Sequence, residues 1–325
     1  MTAARPRLVV LDSATFGDVS LDPFKVHWDC ESYALSRAAE VPKRLQGCRA
    51  VVVNKVALDR AVLQRPEVGE LGLIAVAATG TDNIDLRAAR SRGIGVCNVP
   101  GYATTAVAQF TMALMLEWAS HPGRYGELVR RGLWQRSPVF ARMDFRSVEL
   151  RGKRLGIVGY GNIGRAVARM ARGLGLKVDI ARRDGLRSSS RERRVPLRDL
   201  LEASDIVTLH CPLTPRTKHL VNRRTLALMK PTALLINTAR GGVVDEQALV
   251  EWLRKTPSAG AALDVLTEEP PSKRNPTVRA ARQLNNLLVT PHCAWTAIEA
   301  RERLVQEVAR NLRAFLQGKS RNRIL

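Results

Sequence analysis

No apolar run in this 325-residue chain approaches the ~18–20 residues that a helix needs to span a bilayer. The opening stretch, MTAARPRLVVLDS, passes almost at once into the strand-like LVVLD and holds no signal-peptide core. A cytoplasmic protein is the expectation, with no membrane partner. Cysteine is scarce as well. The five present (Cys30, Cys48, Cys97, Cys211, Cys293) are scattered, with no C-x-x-C pair. They read as small buried hydrophobes, so neither a metal site nor a disulfide is expected. Aromatic residues make up only 5%, and none interleaves with a basic run in the manner of an RNA-binding motif. Acidic charge is in deficit too, with 30 Asp and Glu against 52 Lys and Arg and a formal net charge of +22. Such a surface can bind nucleic acid or steer anionic substrates. Here the basic residues are spread along the whole chain, in clusters no longer than Arg191–Arg194, and arginine greatly outnumbers lysine. Compositional bias explains that pattern, and no specific nucleic-acid partner is expected.

What is present is alternation. At this length the chain can form two domains with buried cores, or one large α/β domain. Strand-like runs RLVVLD, AVVVNK, LGLIAVAATG and GIGVCNVP are separated by LDRAVLQRP and NIDLRAARSRG, which have helical spacing and end at Pro or Gly. That order implies βα units around a parallel sheet. From Thr104 to Ser120, TTAVAQFTMALMLEWAS reads as one long helix, apolar on most of its surface. It suits either a core position or a subunit interface. A second alternating set starts at KRLGIVGYGNIG and runs through KVDIARR, SDIVTLHCPL, TALLINTAR, AGAALDVL and NLLVTPH. The chain closes with an amphipathic helix bearing Leu304, Val308, Leu312 and Leu316. Two Rossmann-like, doubly wound parallel-sheet domains are therefore expected.

The second set opens with Gly159, Gly161 and Gly164 in G-x-G-x-x-G spacing, with Asn162 and Ile163 between the last two. The motif follows a strand and opens a helix, which is the context of a dinucleotide site. Gly159 permits a tight turn, Gly161 lets backbone approach a pyrophosphate, and Gly164 lets helix and strand pack closely. The next strand usually ends in an acid that holds a ribose 2′-hydroxyl. Here it ends in Arg182 and Arg183, which suit a 2′-phosphate and favour NADP(H) over NAD(H). Asp179 is the rival reader, placed mid-strand and too early to reach the ribose edge. The bland alternative is a pair of solvated arginines.

Three later strands end in chemistry-bearing side chains: Arg240 after ALLINTA, Asp264, Glu268 and Glu269 after AAL, and His292 after NLLVTP. Ligands sit at such ends in open α/β sheets. Reduction of an oxo acid needs these residue types: Arg grips a carboxylate, His donates a proton near pH 7, and a carboxylate holds the imidazole charged.

The runs AATGTDNIDL, GIGVCNVPGYATTAVAQ, GIVGYGNIGRAVA, LHCPLTPRTKHLVN, INTARGGVVDEQAL, ALDVLTEEPP and TPHCAWTAIEARERL span nearly the whole chain. They resemble the D-isomer-specific 2-hydroxyacid dehydrogenase family, most of all its glycerate dehydrogenase (hydroxypyruvate/glyoxylate reductase) branch. The resemblance implies an active site in the cleft between two domains. It also implies a discontinuous substrate domain (residues 1–100 plus 293–325), a dinucleotide-binding domain (101–292), and a homodimer formed through the long helix. Arg240 would bind the substrate carboxylate, His292 would be the general acid/base, and Glu269 would be its partner, with Glu268 a solvated neighbour. Backbone N–H groups of Thr79 and Gly80 would help hold the carboxylate, and Trp295 would wall the pocket. Asp264 would contact the nicotinamide amide, with Thr238 and Ala239 nearby. His210 and Pro212 would flank the adenine, with Thr217 on the same cofactor-binding run. The same resemblance leaves two other readings open: a dehydrogenase of the same fold for phosphite or a bulkier 2-oxo acid, and a non-enzymatic relative of the carboxyl-terminal-binding corepressors.

Overall fold

The computed structural model describes residues 4–182 and 193–325. The chain divides into two compact units, Met1–Ala103 with Thr296–Leu325, and Thr104–Trp295.

The first unit is built on five parallel strands, β1 (Arg7–Val10), β2 (Asp29–Ser32), β3 (Ala50–Val53), β4 (Leu73–Val76) and β5 (Gly95–Cys97). Their order in the sheet is β2-β1-β3-β4-β5. Strands β3 and β4, AVVV and LIAV, are buried at every position, as expected for a parallel sheet covered on both faces. At the edge, β2 has the sequence DCES and is largely exposed; its polar residues give no hydrophobic signal in the sequence. The closing helix, Ile298–Leu316, returns the chain to this unit and buries Leu304, Val308 and Leu312. Leu316 is 41% exposed, because the apolar stripe runs out in the last turn. Phe315 instead stacks on Trp28, with ring centroids 6.4 Å apart.

The second unit carries seven parallel strands: β6 (Arg154–Val158), β7 (Lys177–Ala181), β8 (Arg194–Val195), β9 (Ile206–Leu209), β10 (Leu234–Asn237), β11 (Gly260–Leu263) and β12 (Leu287–Val289). The order is β12-β11-β10-β9-β6-β7-β8. The chain winds outward from β6 through β7 and β8, then returns to β9 on the other side of β6. That reversal leaves a crevice beyond the strand ends between β6 and β9, where dinucleotides bind in doubly wound sheets. The helix Thr104–Ser120 packs Ala108, Met112 and Met115 against Leu155, Ile157, Val167 and Ala168. Its core role is therefore real, yet Leu116 on another side is 40% exposed. Among the described residues, no helix is long and apolar enough to cross a membrane.

Candidate active site

The glycine-rich turn joins β6 to the helix Asn162–Gly173, and each of its three glycines meets a different constraint. Gly159 has φ +99°, and a Cβ there would lie 2.5 Å from the His210 carbonyl carbon. A Cβ on Gly164 would lie 2.2 Å from the Gly159 carbonyl oxygen. Gly161 is the opposite case, with nothing within 4 Å of where its Cβ would be. Among the described residues space is thus kept open directly at the helix N-terminus, and its N-cap, Gly161, has no side chain to cap the first turn. Backbone N–H groups and the helix dipole favour an anion at that position.

Across the crevice, His210 donates its backbone N–H to Val158 O at 2.7 Å, tying the end of β9 to the end of β6. Its ring Nε2 meets Thr208 Oγ1 at 3.0 Å. Nδ1 is buried and has no hydrogen-bond partner among the described residues. Burial pushes the imidazole pKa down to about 3, so the ring is neutral at any physiological pH. An orphaned buried nitrogen opposite an open phosphate cradle fits a nucleotide base, which offers matching polar edges. The Thr217 hydroxyl donates to Pro212 O at 2.6 Å and so fixes the turn after His210. These residues fit a dinucleotide.

Asp179 is mid-strand in β7 and only 4% exposed. Its carboxylate is taken by Arg154 at 2.9 Å and Arg193 at 3.4 Å. Among the described residues it is a buried ion-pair centre, committed to Arg154 and Arg193 below the strand end. Arg182, by contrast, stands exposed just past β7, with its backbone N–H on Val195 O at 2.7 Å. Arg183 lies outside the described residues.

Strands β10, β11 and β12 are neighbours running in one direction, so their carboxyl ends share one edge of the sheet. At the end of β10, the fully buried Asn237 accepts from Ala239 N–H at 3.0 Å and donates to Arg240 O at 2.9 Å. This side chain folds the turn that presents Arg240, whose Nη1 bonds Ala239 O at 2.8 Å. Thr238 spends its hydroxyl on Thr111 of the long helix, 3.2 Å away. Gly241 follows, in such close contact with the next segment that a Cβ would fall 1.9 Å from the Leu266 carbonyl carbon.

At the end of β11, Asp264 is 1% exposed. Its carboxylate accepts from Thr290 Oγ1 at 2.6 Å, Cys293 N at 2.9 Å and Ala294 N at 2.9 Å. These donors bracket His292, whose own N–H reaches Asp264 O at 2.8 Å. His292 has φ +51°, a left-handed conformation that costs a non-glycine residue about 1–2 kcal/mol. The Asp264 bonds hold the loop in that shape. Burial and the same carboxylate push the Cys293 thiol pKa up, so it stays protonated.

The imidazole Nδ1 of His292 is 2.6 Å from Glu269 Oε2, and Glu269 Oε1 accepts from Leu266 N–H at 2.9 Å. A carboxylate at Nδ1 fixes the proton there and turns Nε2 outward as the exchanging nitrogen. The structure therefore brings Glu269 and His292 into contact beside the Arg240 turn. Glu268 is exposed, and Trp295 is half-buried three residues beyond His292. In the other unit, Thr79 and Gly80 lie after β4, with Thr79 Oγ1 on Val99 O at 2.9 Å. Sequence reading missed Asn237, whose signal is its position at the end of an otherwise apolar strand. Among the described residues, no cluster of three or more His, Cys, Asp or Glu could hold a metal.

Comparison with known proteins follows the same lines. Residues 112–294 match the family model described as D-isomer specific 2-hydroxyacid dehydrogenase, NAD binding domain. A glycerate dehydrogenase of Methylorubrum extorquens is 41% identical over 286 residues, 87% of each chain. A hydroxypyruvate reductase of Blautia hydrogenotrophica is 36% identical over 321 residues, covering 96% of this chain and 97% of that one. Among solved structures, an acyclic imino acid reductase in complex with NADPH and D-Arg superposes with a TM-score of 0.85 at 30% identity, over 98% of this chain and all of that one.

Proposed function

The chain belongs to the D-isomer specific 2-hydroxyacid dehydrogenase family, and from that premise we propose that it reduces hydroxypyruvate and glyoxylate to D-glycerate and glycolate, with NADP(H) preferred to NAD(H). The observation that carries the chemistry is the 2.6 Å contact between His292 Nδ1 and Glu269 beside the Arg240 turn. When bound, a nicotinamide dinucleotide held at the Gly159–Gly164 turn would supply the hydride for C2 of the oxo acid. Arg240 pairs with the substrate carboxylate and stabilises the charge growing on the carbonyl oxygen. His292 delivers its Nε2 proton to that oxygen, completing the alcohol, while Glu269 holds the resulting imidazole in place. Oxidation runs the same steps in reverse. Glu269 therefore acts on the proton donor and Arg240 on the oxyanion.

The remaining parts of the reading are carried over from the family. The first unit is the substrate domain and the second the cofactor domain, with the backbone at Thr79 and Gly80 helping to bind the carboxylate and Trp295 shaping the pocket. Asp264 contacts the nicotinamide amide, with Thr238 and Ala239 nearby. The preference for NADP(H) is supported by exposed Arg182 and by the commitment of Asp179 to Arg154. A homodimer in the cytoplasm is part of the proposal. It is supported by apolar side chains left exposed on and after the long helix, including Leu116, Trp134, Phe140 (93%) and Met143 (85%).

A panel of 2-oxo acids with NADPH and NADH tests the proposal. Hydroxypyruvate and glyoxylate should give the highest kcat/KM. His292→Ala should lower kcat by ~10²–10⁴-fold, the usual contribution of a general acid. Turnover near the native level in that variant would remove His292 from the mechanism.

A further inference from the structure

Beyond the Arg240, Glu269 and His292 constellation lies a buried carboxylate that no substrate atom needs to touch. Glu246 is the first residue of the helix Glu246–Lys255 and is only 8% exposed. A carboxylate at a helix N-terminus is favoured by the dipole, but burial on this scale demands specific partners as well. Glu246 has three. Oε1 accepts from Thr267 N–H at 2.6 Å; Oε2 accepts from Thr277 Oγ1 at 2.8 Å and Asn275 Nδ2 at 3.1 Å. The Asn275 amide cannot be turned round, because its Oδ1 caps the helix Pro276–Ala281 by accepting from Thr277 N and Val278 N at 2.9 and 3.0 Å.

These three donors sit at the two ends of one irregular segment, and Glu269 lies inside it. Thr267 adjoins Leu266, whose N–H holds Glu269 Oε1. Asn275 and Thr277 close the far end. Glu246 itself lies six residues after Arg240, on the same stretch of chain. Gly241 packs against Leu266 at van der Waals limits, so the Arg240 stretch and the Glu269 segment touch there and again at Glu246. We infer that Glu246 is a positioning residue for the acid/base pair, fastening both ends of the Glu269 segment so that its carboxylate meets His292 Nδ1. The inference rests on the reading of Glu269–His292 as that pair. Loss of the anchor leaves the reacting groups present but displaced, and displacement by about 1 Å can cost on the order of 10²-fold.

The experiment is a double-mutant cycle between Glu246 and Glu269 on the full-length enzyme, measuring kcat, KM for glyoxylate, nucleotide Kd by fluorescence quenching, and Tm. Glu246→Ala should lower kcat by roughly 10–100-fold and leave the nucleotide Kd within about twofold. Glu246→Gln should recover only part of the loss, because its amide oxygen still accepts from Thr267 N–H while its NH2 faces the Asn275 NH2 donor. In a Glu269→Gln background, Glu246→Ala should add less than about twofold, since residues that act as one unit are not additive. Glu246→Asp keeps the charge but withdraws it by one methylene; it carries the same cycle if the Ala variant does not fold. Equal losses in both backgrounds, an unchanged kcat, or a parallel loss of nucleotide affinity would show that Glu246 supports the fold alone. A Glu269→Gln variant with native turnover would instead overturn the acid/base reading, and this inference with it.

Discussion

At the end of β1 the first sheet places a carboxylate, and at the end of β6 the second sheet places a glycine. Both ends adjoin the point where strand order reverses, between β1 and β3 in one sheet and between β6 and β9 in the other. Asp12, 2% exposed, accepts from the backbone N–H groups of Asn54, Lys55 and Val56 at 2.9, 2.6 and 3.0 Å. The donors that follow β3 are consumed by a group of the chain itself, and a phosphate approaching them would meet a fixed negative charge. In the second sheet Gly161 leaves open space among the described residues and brings no side chain to cap the helix behind it. A fold of this type supplies the crevice; the residue at the strand end decides whether a ligand can enter it.

The contrast can be broken most directly by giving the second crevice what the first one has. Gly161→Asp introduces a side chain into open space, so the protein should fold with its native Tm. A carboxylate would then face the pyrophosphate, and like-charge contact of that kind costs several kcal/mol, so Kd for NADPH should rise about 100-fold or more. A Kd within threefold of native, measured by calorimetry, would mean that the phosphates bind elsewhere.

The reverse change removes the carboxylate from the first crevice. Asp12→Ala leaves three backbone N–H groups without their acceptor in a buried place, and an unsatisfied buried donor costs ~1–3 kcal/mol. Water entering the vacated space offsets part of that, so a net loss of about 3 kcal/mol in urea unfolding is expected. No loss of stability would show that those N–H groups find other partners.

The smallest effect belongs to the rim of the second crevice. Arg182→Asp should lower NADPH affinity about tenfold to a hundredfold, the worth of one charge-assisted hydrogen bond. It also offers the NADH ribose an acceptor, so the ratio of kcat/KM values for the two cofactors should reverse. A native preference for NADH, unmoved by the substitution, would assign Arg182 to the solvated surface.

Much of this architecture was legible along the chain because its signals are local. Runs such as AVVV and LIAV are apolar at every position since a parallel sheet is covered on both faces, and the glycine spacing marks a turn whose Gly164 packs on Gly159 of the same turn. The edge strands β2 and β8 were not legible: DCES and the two-residue RV are short, and one side of each lacks a neighbouring strand. Leu316 was read as part of a buried stripe, although a helix end projects past the surface it packs on. Asp179 could be set aside as a ribose reader from its place mid-strand, but its partners were invisible, because Arg154 lies 25 residues away in sequence on the adjacent strand.

The sequence by itself determined the order of the core strands and main helices, the glycine-rich turn, and Arg240 and His292 as candidates at strand ends, while Glu269 was singled out from Glu268 by the family resemblance. Tertiary structure alone decided which donors Asp264 and Glu246 take from distant loops, and that Asp12 fills the strand-end crevice of the first sheet. The reason is physical. A side chain's type limits which bonds it can make, but a buried carboxylate takes whichever donors the fold brings within 3 Å, and those donors come from residues far away along the chain.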